Sequence, residues 1–298
     1  MMIASPFMKG IAFAMGSYFF MALYSVFLKL ATAAGGNSVW VNFIAYFSAA
    51  VLMTPLLIKQ GASVFQTAHF PIHILRAFCG VLSSYLYTLS MSFIPLVNAT
   101  LFFNTSPLFI PIFSIFLLKT KVTIRDWIAL SVGFLGVIVI IHPTSDILKQ
   151  GGDFIALGSG FFLGLGYIYI KMLTKTDSRN IITFYFCLLA SIMQAPFLLL
   201  FPHVPPIACI GWSIAAGMMV ILVQFFLAAA YNYGEAAKIG ALQYSSLIFV
   251  GIIGWILWGN VPKTMEILGM VLVIAGGVMI VLQSGSNAAA QKNNQQTS

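Results

Sequence analysis

Charge is what this sequence lacks most. Only 7% of its 298 residues are Asp, Glu, Lys or Arg, against about 25% in a soluble globular domain. No water-exposed surface can be assembled from so few, so lipid must replace water over most of the protein. Acids are scarcer than bases: six carboxylates stand against fourteen Lys and Arg, a formal net charge of +8. The bases sit singly between apolar runs rather than together on one solvated face. That argues against nucleic acid as a partner and for a role in membrane topology, with some attraction to anionic headgroups.

Cysteine is rare too. Cys79, Cys187 and Cys209 lie far apart, within or beside apolar segments and without CxxC or Cys/His spacing. They read as small packing residues, and a disulfide or metal framework is unsupported. No Walker A, GxGxxG, GxSxG or HExxH pattern occurs, so neither a cofactor nor a metal is implied. A membrane enzyme such as a lipid transferase needs acids, histidines or a nucleophile clustered at one interface. The acids (Asp126, Asp146, Asp153, Asp177, Glu235, Glu266) and the histidines (His69, His73, His142, His203) are instead scattered through loops and near the ends of apolar runs. The same scatter leaves no mid-membrane proton carrier, which favours a facilitator or exchanger over a proton-driven pump.

What the sequence has in abundance is apolar length: 60% of its residues are hydrophobic. A spanning helix needs about 20 consecutive, mostly apolar residues. Ten runs qualify, at 8–31, 39–58, 70–92, 95–118, 124–141, 153–172, 179–201, 208–231, 236–258 and 265–283. The runs are continuous rather than alternating, which predicts helices and not a barrel. The first run, followed by Ala31-Thr32-Ala33, resembles a signal peptide, but it is too long for a signal core and is expected to be retained. The polar tail after Leu282 lacks apolar periodicity and is expected to be disordered.

The bases orient these spans. With the N-terminus in the cytoplasm, Lys9, Lys59, Lys119, Lys121, Arg125, Lys171, Lys175, Arg179 and Lys292 fall on the cytoplasmic side, and only Lys149 and Lys263 outside. Lys29, Arg76 and Lys238 fall within spans or at their edges. The asymmetry predicts an inner-membrane, multi-pass protein with both termini cytoplasmic. Trp40, Trp127, Trp212 and Trp258 fall near span ends, where interfacial anchors belong.

The chain also repeats itself. Leu101-Phe102-Phe103-Asn104-Thr105-Ser106-Pro107 in span 4 matches Gly240-Ala241-Leu242-Gln243-Tyr244-Ser245-Ser246 in span 9, and Gly136-Val137 matches Gly277-Val278. Each repeat holds five spans, an odd number, so tandem copies must lie upside down relative to each other. Such inverted repeats put a binding site at mid-membrane and permit alternating access. The predicted organisation is a first five-helix repeat over 1–145, a second over 146–284 and a cytoplasmic tail over 285–298. The boundary lies in the Pro-, Ser- and Gly-containing loop between His142 and Asp153.

Several motifs, in order, carry a resemblance. Val26-Phe27-Leu28-Lys29-Leu30 closes span 1, and Leu75-Arg76-Ala77-Phe78 opens span 3. Asn104-Thr105-Ser106-Pro107-Leu108 lies in span 4, and Ala241-Leu242-Gln243-Tyr244-Ser245-Ser246 runs on to Trp258-Gly259-Asn260-Val261-Pro262. Over nearly its whole length the chain resembles the EamA-type transporters of the drug/metabolite transporter superfamily. The resemblance implies an all-α membrane fold of ten transmembrane helices, arranged as two inverted five-helix repeats around a central substrate cavity. Two departures stand out. Lys119-Thr120 and Gly259-Asn260 occupy the places where the family usually has Gly-Glu, and span 2 reads Asn42-Phe43-Ile44-Ala45-Tyr46 where it often has an Arg.

The candidate functional residues are polar groups inside these spans. Charged groups in lipid cost roughly 2.5–3.5 kcal/mol on insertion scales and persist when they line a wet cavity or reach an interface. Lys29 reads either as a cation snorkelling to headgroups or as a contact for an anionic substrate. Arg76 reads as an interfacial anchor or as a gate and carboxylate clamp, for which its planar fork is suited. Lys238 reads as the partner of Glu235. Asn104 and Gln243 occupy matched repeat positions; with Tyr244, Gln224, Tyr85 and Asn98 they are candidates for a substrate pocket between spans 3, 4, 8 and 9. The competing reading is interhelical glue, worth about 0.6 kcal/mol per bond. Pro107 and Pro111 each remove a backbone hydrogen bond and are expected to kink span 4. Gly158, Gly160, Gly164 and Gly166 have the spacing of a close helix contact. The function expected is secondary transport of a small polar organic metabolite, amino-acid or nucleoside-like, with S-adenosylmethionine uptake or exchange as the alternative. Monomer and homodimer are both open.

Overall fold

The computed structural model describes residues 6–59, 61, 66–143, 151–259 and 261–296, with side chains described as far as Leu282 and Val97 excepted. The predicted boundary at 145/146 lies outside these residues, as do Asp146, Lys149 and Asn260. Among the described residues twelve α-helices follow one another: α1 (Pro6–Ala33), α2 (Ser38–Ile58), α3 (Phe70–Ser90), α4 (Leu96–Phe103), α5 (Ser106–Leu117), α6 (Ile124–Ile141), α7 (Gly151–Leu173), α8 (Arg179–Gln194), α9 (Ile207–Tyr233), α10 (Ala236–Ala241), α11 (Ser245–Trp258) and α12 (Thr264–Gln296). They make ten stretches long and apolar enough to cross a membrane. Span 4 is α4 with α5; span 7 is α8 with a 3₁₀ turn over Ala195–Leu200; span 9 is α10 and α11 joined by a 3₁₀ turn over Leu242–Tyr244.

Helix starts follow local chemistry. The Asn37 side chain accepts from Val39 N at 2.8 Å and caps α2. Thr123 and Asp126 form a reciprocal capping box at α6, and the Ser178 hydroxyl accepts from Ile181 N at α8. Each satisfies a backbone donor that the first helical turn leaves free. Helix α11 stops at Gly259, whose φ of +67° suits glycine. The last helix runs past Leu282 to Gln296, whereas the sequence reading ends the span near 283 and leaves the tail without structure. Ala288-Ala289-Ala290-Gln291 has strong helix propensity, which lets the backbone continue a helix already nucleated in the span.

Spans 4 and 9 are both broken, and at matched positions. Residues Asn104 and Thr105 interrupt span 4 where Leu242–Tyr244 interrupts span 9. Pro107 follows its break in the first turn of α5, where a missing N–H costs nothing; Pro111 lies inside α5. The breaks touch: the Ser106 hydroxyl donates to Gln243 Oε1 at 3.2 Å.

Packing pairs the two halves. Helix α1 lies along α9 as α3 lies along α7, and α5 packs on α7 as α11 packs on α1. Helices α6 and α12 pair with each other, as do α2 and α8. Gly136 and Gly269 bring the backbones of α6 and α12 together, with no room for a Cβ on either. Gly160 of α7 faces the break in span 4; a Cβ there would fall 2.5 Å from Phe102 O. Gly158, two residues away, would place its Cβ no nearer than 3.5 Å from Leu86. Gly160→Leu is therefore expected to abolish the monodisperse peak in detergent size-exclusion chromatography, because overpacking against backbone costs about 1–3 kcal/mol or more. Gly158→Leu is expected to preserve it.

Candidate functional site

A cavity of about 380 Å³ occupies the middle of the bundle. Helix α1 supplies Ser17, Tyr18, Met21, Tyr24 and Leu28 at helical spacing. Helix α3 supplies Arg76, Gly80, Ser84, Tyr87 and Thr88, again one face. Asn42 and Tyr46 come from α2, Tyr167 and Ile170 from α7, and Val223, Gln224 and Leu227 from α9. Phe103 and Phe186 add one ring each from α4 and α8. The residues at one end (Tyr18, Arg76, Tyr167, Ile170, Leu227) are buried, and those at the other (Ser38, Ser84, Thr88, Met91) are exposed. The cavity thus has a floor and a mouth, the mouth lying at the end where α1 and α3 terminate.

Arg76 is the charged group of the floor. It is 3% exposed, and its Nη2 donates to Gln224 Oε1 at 2.6 Å. Its guanidinium carbon lies 4.1 Å from the centroid of Phe186. Among the described residues its Nε and Nη1 meet no hydrogen-bond partner, and no carboxylate lines the cavity. A buried cation without a countercharge is expensive. The fork left open on Arg76 has the shape that accepts a carboxylate or phosphate edge.

Beneath the floor the bundle is shut. Lys171 Nζ donates to the carbonyls of Tyr231 at 2.6 Å and Gly234 at 2.8 Å, closing the C-terminal end of α9 against α7. That end carries the helix's partial negative charge, which favours a cation there. His73 Nε2 lies 3.8 Å from Asp177 Oδ2, linking the start of α3 to the loop before α8. Arg179 stands over the rings of Phe13 and Phe225 at 5.6 and 5.2 Å, and Phe13 stacks on Tyr233.

Of the residues singled out from the sequence, the structure brings Arg76 and Gln224 together. Asn104 donates back to Thr100 O at 2.9 Å, and Gln243 meets Ser106 across the paired breaks. Tyr244 is buried against Gly133 near Phe134, and Asn98 is buried at the start of α4. Tyr85 is 49% exposed beside Phe197. Pro111 is packed inside α5, Lys29 lines a separate groove, and Lys238 pairs with Glu235 at 2.9 Å. Of the spans 3, 4, 8 and 9 expected to form the pocket, spans 3, 4 and 8 line this cavity, together with spans 1, 2, 6 and 7. Span 9 does not line it, because its amide is spent on the contact with span 4. Sequence reasoning missed Tyr24, whose hydroxyl donates to Asn42 Oδ1 at 3.0 Å, and Tyr46 and Tyr167. The available signal was the face shared by Arg76, Gly80, Ser84 and Thr88, small or polar every fourth residue.

A ten-span helical bundle around a central cavity, closed at one end and open at the other, is the architecture of a secondary transporter. The model of the EamA-like transporter family matches the chain twice, over residues 8–142 and 150–282. The chain belongs to the EamA-like transporter family. It is 28% identical over 243 residues to a pseudopaline exporter of Pseudomonas aeruginosa, covering 80% of this chain and 83% of the relative. It is 27% identical to a riboflavin transporter of Vibrio cholerae (87% and 88% covered) and 20% identical to an S-adenosylmethionine uptake transporter of Rickettsia prowazekii (87% and 88% covered). A solved crystal structure superposes with a TM-score of 0.78 at 17% identity, covering 91% of this chain and 96% of that one, which shows a shared fold. The protein is a multi-pass membrane transporter of small metabolites, not an enzyme.

Proposed function

We propose that the protein carries a small polar organic metabolite bearing an anionic group, amino-acid or nucleoside-like, and that Arg76 and Gln224 hold it. The observation that carries this reading is Arg76: buried at the cavity floor, tied once to Gln224 and with Nε and Nη1 free. Tyr18, Tyr24, Tyr46, Tyr87 and Tyr167 offer ring faces for the body of the molecule. Transport proceeds by alternating access between two inverted five-helix repeats. The paired breaks in spans 4 and 9 and the reciprocal packing of α1 on α9 and α3 on α7 support that symmetry. Both termini are cytoplasmic and the membrane is the inner one, so the open mouth faces outward and Lys171, His73–Asp177 and Arg179 close the cytoplasmic side.

A second reading is S-adenosylmethionine uptake or exchange. Rickettsial relatives carry that name, the carboxylate of that molecule suits Arg76, and its sulfonium suits aromatic faces. Reconstitution in liposomes with labelled amino acids, nucleosides, riboflavin and S-adenosylmethionine tests both. Saturable flux of an anionic or zwitterionic member is expected. Flux confined to compounds without a negative group would overturn the assignment of Arg76.

A further inference from the structure

A second concavity, of about 360 Å³, lies on a different face of α1, between it and α11. The order of its lining is that of an amphiphile. Lys29, Trp258 and Glu266 gather at one end, where α1 and α11 finish and α12 begins. Ala22, Val250 and Gly254 line the depth below. Seven residues separate Ala22 from Lys29 on α1, about 10 Å of helix at 1.5 Å per residue. That depth carries the groove from the span end toward mid-membrane.

The two ends differ in chemistry. Lys29 is exposed, and its Nζ lies 3.9 Å from the Trp258 ring centroid, so the ammonium is held in place yet open to an anion. Glu266 is half-buried with Oε2 accepting from Lys263 N at 3.1 Å, which fixes a carboxylate at the same rim. One cation and one carboxylate match a headgroup that carries both charges, and the carboxylate opposes one with a net negative charge. Below them a Cβ on Gly254 would meet nothing within 4 Å. The missing side chain leaves open space there for an apolar chain.

We propose that this groove binds one zwitterionic phospholipid, phosphatidylethanolamine. Its phosphate lies on Lys29, its ammonium faces Glu266, and one acyl chain runs down the wall at Ala22, Val250 and Gly254. Tryptophan and lysine at a span end are ordinary interfacial anchors; the paired carboxylate and the open slot below give this rim its headgroup preference. The site is independent of the central cavity, from which α1 separates it.

The test is native mass spectrometry of the purified full-length protein, delipidated in mild detergent and titrated with dioleoyl phosphatidylethanolamine or dioleoyl phosphatidylglycerol. The wild type is expected to retain one phosphatidylethanolamine with at least a tenfold preference over phosphatidylglycerol. Lys29→Gln removes the phosphate anchor and is expected to cost about tenfold in retention. Gly254→Leu puts a side chain into the acyl slot, where its Cβ meets nothing within 4 Å, and is expected to cost as much, with an unchanged melting temperature in lipid-free detergent. Equal retention of the two lipids, retention unaltered in both variants, or no lipid retained by the wild type would overturn the proposal.

Discussion

Arg76→Gln is expected to lower the initial rate of substrate counterflow in liposomes by about 100-fold or more, with the protein still folded in the membrane. Truncating one partner of a buried, hydrogen-bonded charge pair costs about 2–5 kcal/mol, and every 1.4 kcal/mol is tenfold. The effect falls on recognition rather than on folding. Glutamine ends two bonds short of the Nη2 that contacts Gln224 Oε1 at 2.6 Å, so one hydrogen bond is lost, but it also removes a buried charge for which no described residue supplies an ion-pair partner. Arg76→Lys keeps the charge but loses the planar fork, so an intermediate loss of about tenfold is expected. Thermal melting of the purified variants, read beside counterflow, separates the two explanations. A merely structural Arg76 would lower melting temperature and rate together.

Gln224→Glu should move stability and activity in opposite directions. Its side chain keeps the length that reaches Arg76, and its carboxylate supplies the missing countercharge. The melting temperature is expected to rise by about 3 °C or more, the shift that roughly 1 kcal/mol gives a chain of this size. Counterflow of an anionic substrate is expected to fall by about 100-fold, because the fork is occupied and the new carboxylate repels the substrate's own. If Gln224→Glu transported normally, the Arg76–Gln224 contact would be packing and not recognition.

The span count was legible because it rests on length and hydropathy, and lipid allows no other backbone solution for such runs. The repeat was legible at Asn104 and Gln243, and the structure puts a helix break at each. What those amides do was not legible. A buried amide on a broken helix has its own backbone and the opposing break as partners, so Asn104 turns to Thr100 and Gln243 to Ser106. Sequence position cannot tell such a partner from a ligand. Arg76 illustrates the converse. Its place near the start of span 3 fits an interfacial anchor equally well; its burial and its contact with Gln224 are what support the clamp reading. Tyr24 on α1 and Tyr46 on α2 escaped notice because their polar atoms are tyrosine hydroxyls. In a chain with 14% aromatic residues these do not stand out from packing. The Lys238–Glu235 pair and the close approach at Gly160 and Gly164 were legible as local patterns, whereas Gly158 and Gly166 meet their neighbours only at ordinary contact distance.

We propose that Arg76 and Gln224 form the floor of the substrate site. The most direct measurement is an experimental structure of the protein with its transported compound bound. An anionic group of the ligand is expected within hydrogen-bond distance of Arg76 Nε and Nη1, and its body among the tyrosine rings of the central cavity. A ligand seated elsewhere, with Arg76 making the same single contact to Gln224 and its other nitrogens still unpartnered, would contradict the proposal.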